Sequence, residues 1–287
     1  MKLIVRADDY GYTKTHNDGT IVAIENGIVT TVDVMFDTPG TIDGLERIKK
    51  YPWISIGWHS HFWGKPILDA KEVPSMVDET GKFKFRKDQS LKATCVFDEV
   101  LKESRAQMEL CISILGKAPD TANIANNGTD FEKARQQVCD EYGIEYNFAD
   151  KPDYNGVVIP ALEKHRHLEI YMPNQPATVY RICYDDSHEK RNTYNPVKYY
   201  TEDEGDIMNK KIALTAWHPG YLDEYVISES RMGECRVIDV RALCSSEIKN
   251  WIITNEIELI NHRDALFGTN EYQNYLRSIN SPLLIKK

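Results

Sequence analysis

Five side chains with the chemistry of a reactive centre each follow a short apolar run: the adjacent carboxylates Asp8 and Asp9, the pair His59 and His61, and His218. Two neighbouring acids repel each other unless a proton or a divalent cation shares their charge. Neutral imidazoles are good metal ligands, and they carry protons near neutral pH. In a strand, residues two apart point to one face, so His59 and His61 are expected to reach a common centre. A divalent ion held there would lower the pKa of a water and polarise a carbonyl, while a neighbouring carboxylate took up the water's proton. The simpler alternative is that one acid caps the following helix and the other is solvated. Five such groups at strand ends favour a site over that alternative.

The elements that must position these groups alternate along the chain. Lys2–Val5 predicts an interior strand with the acids at its carboxyl end, and the segment around Ile21–Ile28 predicts a helix that stops near Gly27. Val29–Phe36 and Trp53–Trp58 predict two more strands, separated by a helix over 40–50. Apolar spacing predicts a long helix over Ser90–Leu115 and another over Phe131–Tyr142, followed by a strand at Gly143–Phe148. Lys211–Trp217 is a late apolar strand, ahead of a helix over Glu247–Asn255 and a last strand at Ile257–Ile260. This alternation implies a mainly parallel sheet, open or closed into a barrel, whose ligand sites gather at the carboxyl ends of the strands. Gly64–Asp88 reads as a loop over the top of the fold. Lys151–Glu204, with five prolines, reads as an insertion or lid.

A chain of 287 residues is long enough for one α/β barrel domain, which is the expected organisation of 1–287. With a net charge of −9 and no basic run interleaved with aromatics, nucleic acid is not expected as a partner. No apolar stretch is long enough to span a membrane, and the start of the chain lacks a signal-peptide pattern, so a cytoplasmic protein is expected. The six cysteines have no paired spacing and read as reduced packing thiols. Of the other histidines, His16 is expected on the surface or facing substrate; His165, His167 and His188 are expected to be solvated; His262 lies past the last strand. Arg166, Arg181 and Arg191 read as a solvated face sooner than as a phosphate grip. Trp58, Trp63, Trp217 and Tyr221 suit either sugar stacking or core packing.

Four stretches, ADDYG at Ala7–Gly11, GIVTTVDVM at Gly27–Met35, GWHSHFWGKPI at Gly57–Ile67 and HPGYLD at His218–Asp223, resemble the YdjC-like carbohydrate deacetylases, a group that includes chitooligosaccharide deacetylases. Order and spacing agree from Lys2 to about Arg263. The resemblance implies a deformed (β/α) barrel and metal-dependent removal of an N-acetyl group from a short amino-sugar oligosaccharide. It implies that Asp9 and His59 are metal ligands, that Asp8 deprotonates the attacking water, and that His218 assists the departing amine. The expected cofactor is a divalent ion, Mg or Zn foremost. The substrate is a small oligosaccharide, and a homodimer is compatible with the resemblance.

In one place the chain departs from the family pattern. Where the family carries a further metal-binding histidine, Pro119–Asp130 reads PDTANIANNGTD and has none. Asn123 or Asn126 would then stand in the ligand's place, although amide oxygens bind transition metals less well than imidazole. His61, extra relative to the pattern, is the other candidate substitute. This departure keeps a second reading open, a carbohydrate-binding protein on the same fold with a weakened metal site. A glycosidase is disfavoured, because adjacent acids do not flank a glycosidic bond at the roughly 5–9.5 Å spacing that chemistry needs.

Overall fold

β1 (Lys2–Tyr10) is buried along almost its whole length and organises the sheet. The computed structural model describes residues 1–286 apart from 87, 126–127, 154 and 176–178. In it β1 is joined by β2 (Thr31–Val34), β3 (Ser55–Trp58), β4 (Thr121–Ala122) and β5 (Glu145–Tyr146) on one side. On the other side lie β9 (Ile212–Trp217) and β8 (Ile170–Tyr171), giving the order β5-β4-β3-β2-β1-β9-β8. β10 (Glu258–Leu259) pairs with the start of β1, and every pairing in this sheet is parallel. A separate antiparallel hairpin is formed by β6 (Lys151–Pro152) and β7 (Val158–Ile159). The result is the curled, deformed (β/α) barrel expected from the alternation of elements.

Period-two alternation on β1 divides the interior from the outer layer. Leu3, Val5 and Ala7 join the large core shared with the helices, whereas Ile4 belongs to a smaller cluster with Ile212, Leu214, Ile170, Phe148 and Ile260. Arg6 and Asp8, on the same face as Ile4, are buried too. One side of the barrel interior is therefore apolar, and the side towards β2 and β3 is polar and charged.

Helices α1 (Lys14–Asn26), α2 (Thr41–Ile48), α3 (Phe97–Leu115) and α4 (Asp130–Tyr142) cover the outer face. Thr13 and Thr129 cap α1 and α4 by accepting backbone N–H bonds from His16 and Glu132. α3 begins seven residues later than its apolar spacing predicts, because Gln89–Thr94 forms a 3₁₀ turn capped by Asp88. Trp58 and Trp217 are fully buried in the outer core, their indole N–H groups bonded to Gln107 (2.9 Å) and Tyr200 (2.7 Å), so they pack and do not stack on a ligand. The 64–88 loop carries its own anchors, Val73, Met76, Phe83 and Phe85. Two cysteines depart from expectation: Cys183 and Cys235, with Cα atoms 5.9 Å apart, form a disulfide, while Cys95, Cys111, Cys139 and Cys244 are free. Among the described residues no helix is long and apolar enough to cross a membrane.

Candidate functional site

Adjacent residues of a regular strand point to opposite faces, yet Asp8 and Asp9 both approach His59. A bulge resolves this. Ala7 pairs with Val32 and Tyr10 with Val34, so three steps on β1 match two on β2, and Asp9 takes a left-handed φ of +63°. Asp is among the few residues that tolerate that conformation, and the extra residue re-aims the side chain. The acids therefore lie within β1, not past its end.

The two histidines also meet by a route other than strand alternation. β3 ends at Trp58, and the chain then turns, with the His61 N–H donating to the His59 carbonyl at 2.8 Å and Phe62 at a φ of +56°. The rings lie edge to face, with centroids 4.0 Å apart. His59 Nε2 is 3.0 Å from Asp9 Oδ1, and one ligand atom from each of Asp9, His59 and His61 falls within 4.8 Å of the other two. A second such group, Asp8, Asp33 and His59, lies deeper. His218 follows β9, and its backbone N–H donates to Asp239 at 2.8 Å.

Two buried arginines restrain the acids. Arg6, two residues before Asp8 on the same face, donates to both of its oxygens at 2.6 and 3.0 Å. Arg236, on the Glu234–Leu243 helix, donates to Asp9 Oδ2 at 2.7 Å and leaves Oδ1 free to face His59. Arg236 also donates to His16 Nε2 at 3.0 Å. His16 is thus fully buried, not at the surface, and its ring occupies the space where a Cβ on Gly220 would sit, which is why glycine follows Pro219. His165, against Glu145, and His262, bonded to Thr121 at 2.9 Å, are buried as well, whereas His167 and His188 are exposed as expected. Arg191 is paired with Glu234, while Arg166 and Arg181 are exposed.

Burial disfavours charge throughout this cluster, and the paired groups overcome it unequally. Desolvation works against a charged His59, but Asp8, Asp33 and Asp9 outweigh it and raise its pKa to about 10. Burial would raise Asp8 and Asp9, yet Arg6 holds the first below the usual carboxylate range and Arg236 holds the second well below it. Desolvation dominates at His61, pushed well below its ordinary value with help from His59, and at His218, pushed down to about 4. Without an ion, Arg6, Arg236 and His59 share the balance of the acids, and a divalent cation between Asp9 Oδ1, His59 Nε2 and a His61 nitrogen would take over the part of His59. The residues present therefore fit a divalent metal.

Beside this cluster opens a cavity of about 170 Å³, walled by Asp9, Tyr12, His61, Trp63, Tyr184 and His218, with Arg236 and Met232 also on its lining. The Tyr12 hydroxyl, the Trp63 indole N–H and His218 Nδ1 are buried polar atoms without a hydrogen-bond partner among the described residues, and all belong to residues of this wall. Tyr221 is not among the lining residues; its backbone packs against Gly19 of α1. Asn123 follows β4, and its backbone carbonyl accepts from Ser60 Oγ (2.9 Å) and Arg135 Nη2 (2.7 Å). Asn126 lies outside the described residues. Sequence reasoning missed Arg236, Arg6, Asp33 and Tyr12. For Arg6 and Asp33 a signal existed, a charge at an inward position of an apolar strand; for Arg236 there was none.

Against known proteins, the family model described as YdjC-like protein matches residues 2–254. The chain is similar to carbohydrate deacetylase 2 of Listeria innocua, 25% identical over 92% of this chain and 98% of that protein. It is also 28% identical to a carbohydrate deacetylase of Enterococcus faecalis, over 91% and 97% of the two chains. A crystal structure from Enterococcus faecalis, of a protein provisionally named for cellobiose-phosphate cleavage, superposes with a TM-score of 0.66 at 24% identity over 92% of this chain and 98% of that one, and has the same fold.

Proposed function

The chain belongs to the YdjC-like family, and from that premise we propose that it is a metal-dependent hydrolase that removes an N-acetyl group from a short amino-sugar oligosaccharide. The substrate is of the diacetylchitobiose type, phosphorylated or not, and the reaction serves carbohydrate catabolism. The observation that carries this reading is the convergence of Asp9, His59 and His61 within 4.8 Å of one another, next to Asp8 and His218. The curated relatives named carbohydrate deacetylases support it.

In this reading Asp9 Oδ1, His59 Nε2 and His61 would hold a divalent ion, Mg or Zn, with His61 in place of the family's further histidine. A bound ion would supply Lewis acidity towards the acetyl carbonyl and a more acidic water. Asp8 accepts the proton of the attacking water. Water oxygen bonds to the acetyl carbon, the C–N bond breaks, and the amine nitrogen needs a proton. His218 rests uncharged at neutral pH, so the proton it passes to the amine is one it first receives, and the proton taken by Asp8 is its source. No net proton is consumed in that transfer.

The cavity volume, below the ~300–1,000 Å³ usual for drug-sized ligands, admits one terminal sugar, with Trp63 and Tyr12 against it and the remaining chain outside. Residues 1–287 act as one deacetylase-like domain; of the 151–204 stretch, β8 is a strand of the barrel sheet, while the part around Tyr184 walls the cavity and acts as a lid, tied by Cys183–Cys235 to the helix bearing Arg236. The enzyme is cytoplasmic in this reading, and a homodimer is compatible with it.

The test is acetate release from N,N′-diacetylchitobiose by metal-stripped protein, with Mg, Zn, Mn, Co or Ni restored singly. Release is expected only with a restored ion, and Asp8→Asn should lower it about 10²–10⁴-fold. A second reading, a sugar-binding protein with an altered centre, draws on the lack of any histidine in Pro119–Asp130; sugar binding without release under any ion would favour it.

A further inference from the structure

Asp33 has no task in the chemistry so far. It stands in the middle of β2, in a run of β-branched residues, and is 2% exposed. A buried carboxylate costs several kcal/mol unless it is well paired, and its pairing is lopsided. Oδ2 lies 3.3 Å from Arg6 Nε and 3.7 Å from His59 Nδ1, while Oδ1 has no hydrogen-bond partner among the described residues. Nor, among them, has His59 Nδ1. Across the β2–β3 register, Asp33 sits opposite Gly57, and a Cβ there would collide with Asp33 Oδ1. The absence of a side chain at Gly57 leaves room for this carboxylate.

We propose that Asp33 is a positioning residue of the metal centre: its carboxylate receives the Nδ1–H of His59, which fixes the ring with Nε2 bare and turned towards the ion. The inference rests on the metal-dependent reading above. A histidine that ligates through one nitrogen becomes a stronger donor at the other, and a carboxylate there fixes both tautomer and orientation. The 3.7 Å separation exceeds a hydrogen bond, and ligation at Nε2 is expected to close it. Two carboxylates then address the two nitrogens of one ring, Asp9 at Nε2 and Asp33 at Nδ1. Arg6, shared between Asp33 and Asp8, holds this carboxylate and the proposed base as one unit spanning β1 and β2.

The experiment measures metal affinity without substrate. Wild type, Asp33→Asn and Asp33→Ser are stripped of metal and titrated with Co²⁺, read by its absorption spectrum, and with Zn²⁺ against a chelating dye; thermal unfolding is recorded alongside. Dissociation constants are expected to rise roughly 10–100-fold in both variants, at temperatures where both are folded, with kcat reduced at saturating metal and KM for the sugar unchanged. Should a variant fail to fold, Gly57→Ala displaces Asp33 while keeping its charge near Arg6, and the same weakening is expected. Lower thermal stability with unchanged Co²⁺ and Zn²⁺ affinity would overturn the role of Asp33 and leave the deacetylase reading intact. A wild type that binds neither ion would overturn both.

Discussion

Two buried arginines flank the site and do opposite things. Arg236, on the α1 side, holds one oxygen of Asp9, the Nε2 of His16, the Met232 carbonyl and Ser230, and lies 5.3 Å over the Tyr12 ring. Its pairing stops short of Asp9 Oδ1, which keeps a lone pair aimed at His59. Arg135, on the β4 side, bonds Glu132, the Asn123 carbonyl and Ser60 Oγ, and packs 5.4–5.8 Å over Trp58, Phe62 and Phe131. Its neighbours are a carboxylate, a carbonyl, a hydroxyl and ring faces, none of them in the Asp9, His59 and His61 group. One arginine orients a reactive group; the other locks a loop where a further ligand would be sought. A buried cation next to a site is therefore not evidence of function until its partners are traced.

The sharpest way to break this contrast is to remove each arginine. Arg135→Met strands Glu132 in the interior and is expected to destabilise the fold by about 3–5 kcal/mol, read by denaturant unfolding, with metal affinity of the folded protein unchanged. Arg236→Gln is expected to weaken metal binding roughly 10–100-fold through the loss of Asp9 orientation, and its stability deficit should shrink when metal is added, because the ion then compensates Asp9. Equal metal affinity in the two variants would erase the distinction. Next in size, His61→Ala should weaken Zn²⁺ binding by roughly tenfold or more if it serves as the third ligand, measured by the same dye competition.

The last contrast concerns pH. Burial raises the Asp239 carboxyl on the Arg236 side to about 7, against the hydrogen bonds from Tyr194 and His218. The folded form thus keeps its proton while the unfolded chain releases it, so this group lowers stability as pH rises from about 4 to about 7, by at most about 1.4 kcal/mol per pH unit. Asp239→Asn should flatten that slope in unfolding curves taken across the window.

Much of this was legible because it depends on local pattern. The alternating apolar runs predicted the parallel sheet, and of the five groups Asp9, His61 and His218 line the cavity while Asp8 and His59 lie deeper beside them. What escaped was geometry that no period encodes. The bulge at Asp9 and the turn between His59 and His61 break strand alternation, so the groups meet for reasons other than those the spacing suggested. Partners such as Arg236 and the Cys183–Cys235 bond depend on contacts across 227 and 52 residues, which a single sequence does not display. β4, two residues long, leaves too short a pattern to read.

The central position of β1 has a consequence for how the chain comes to be folded at all. Lys2 pairs with Ile212 and with Glu258, so β1 is completed only by strands made more than 200 residues later. At ~5–20 residues per second of synthesis, Leu3-Ile4-Val5 waits roughly 10–40 s for its β9 partner, an apolar strand with one edge uncovered. Closing so long a loop comes late and slowly. The two acids, made about 200 residues before β9, are thus among the last to find their surroundings, and a chain truncated before β9 would carry them without a site.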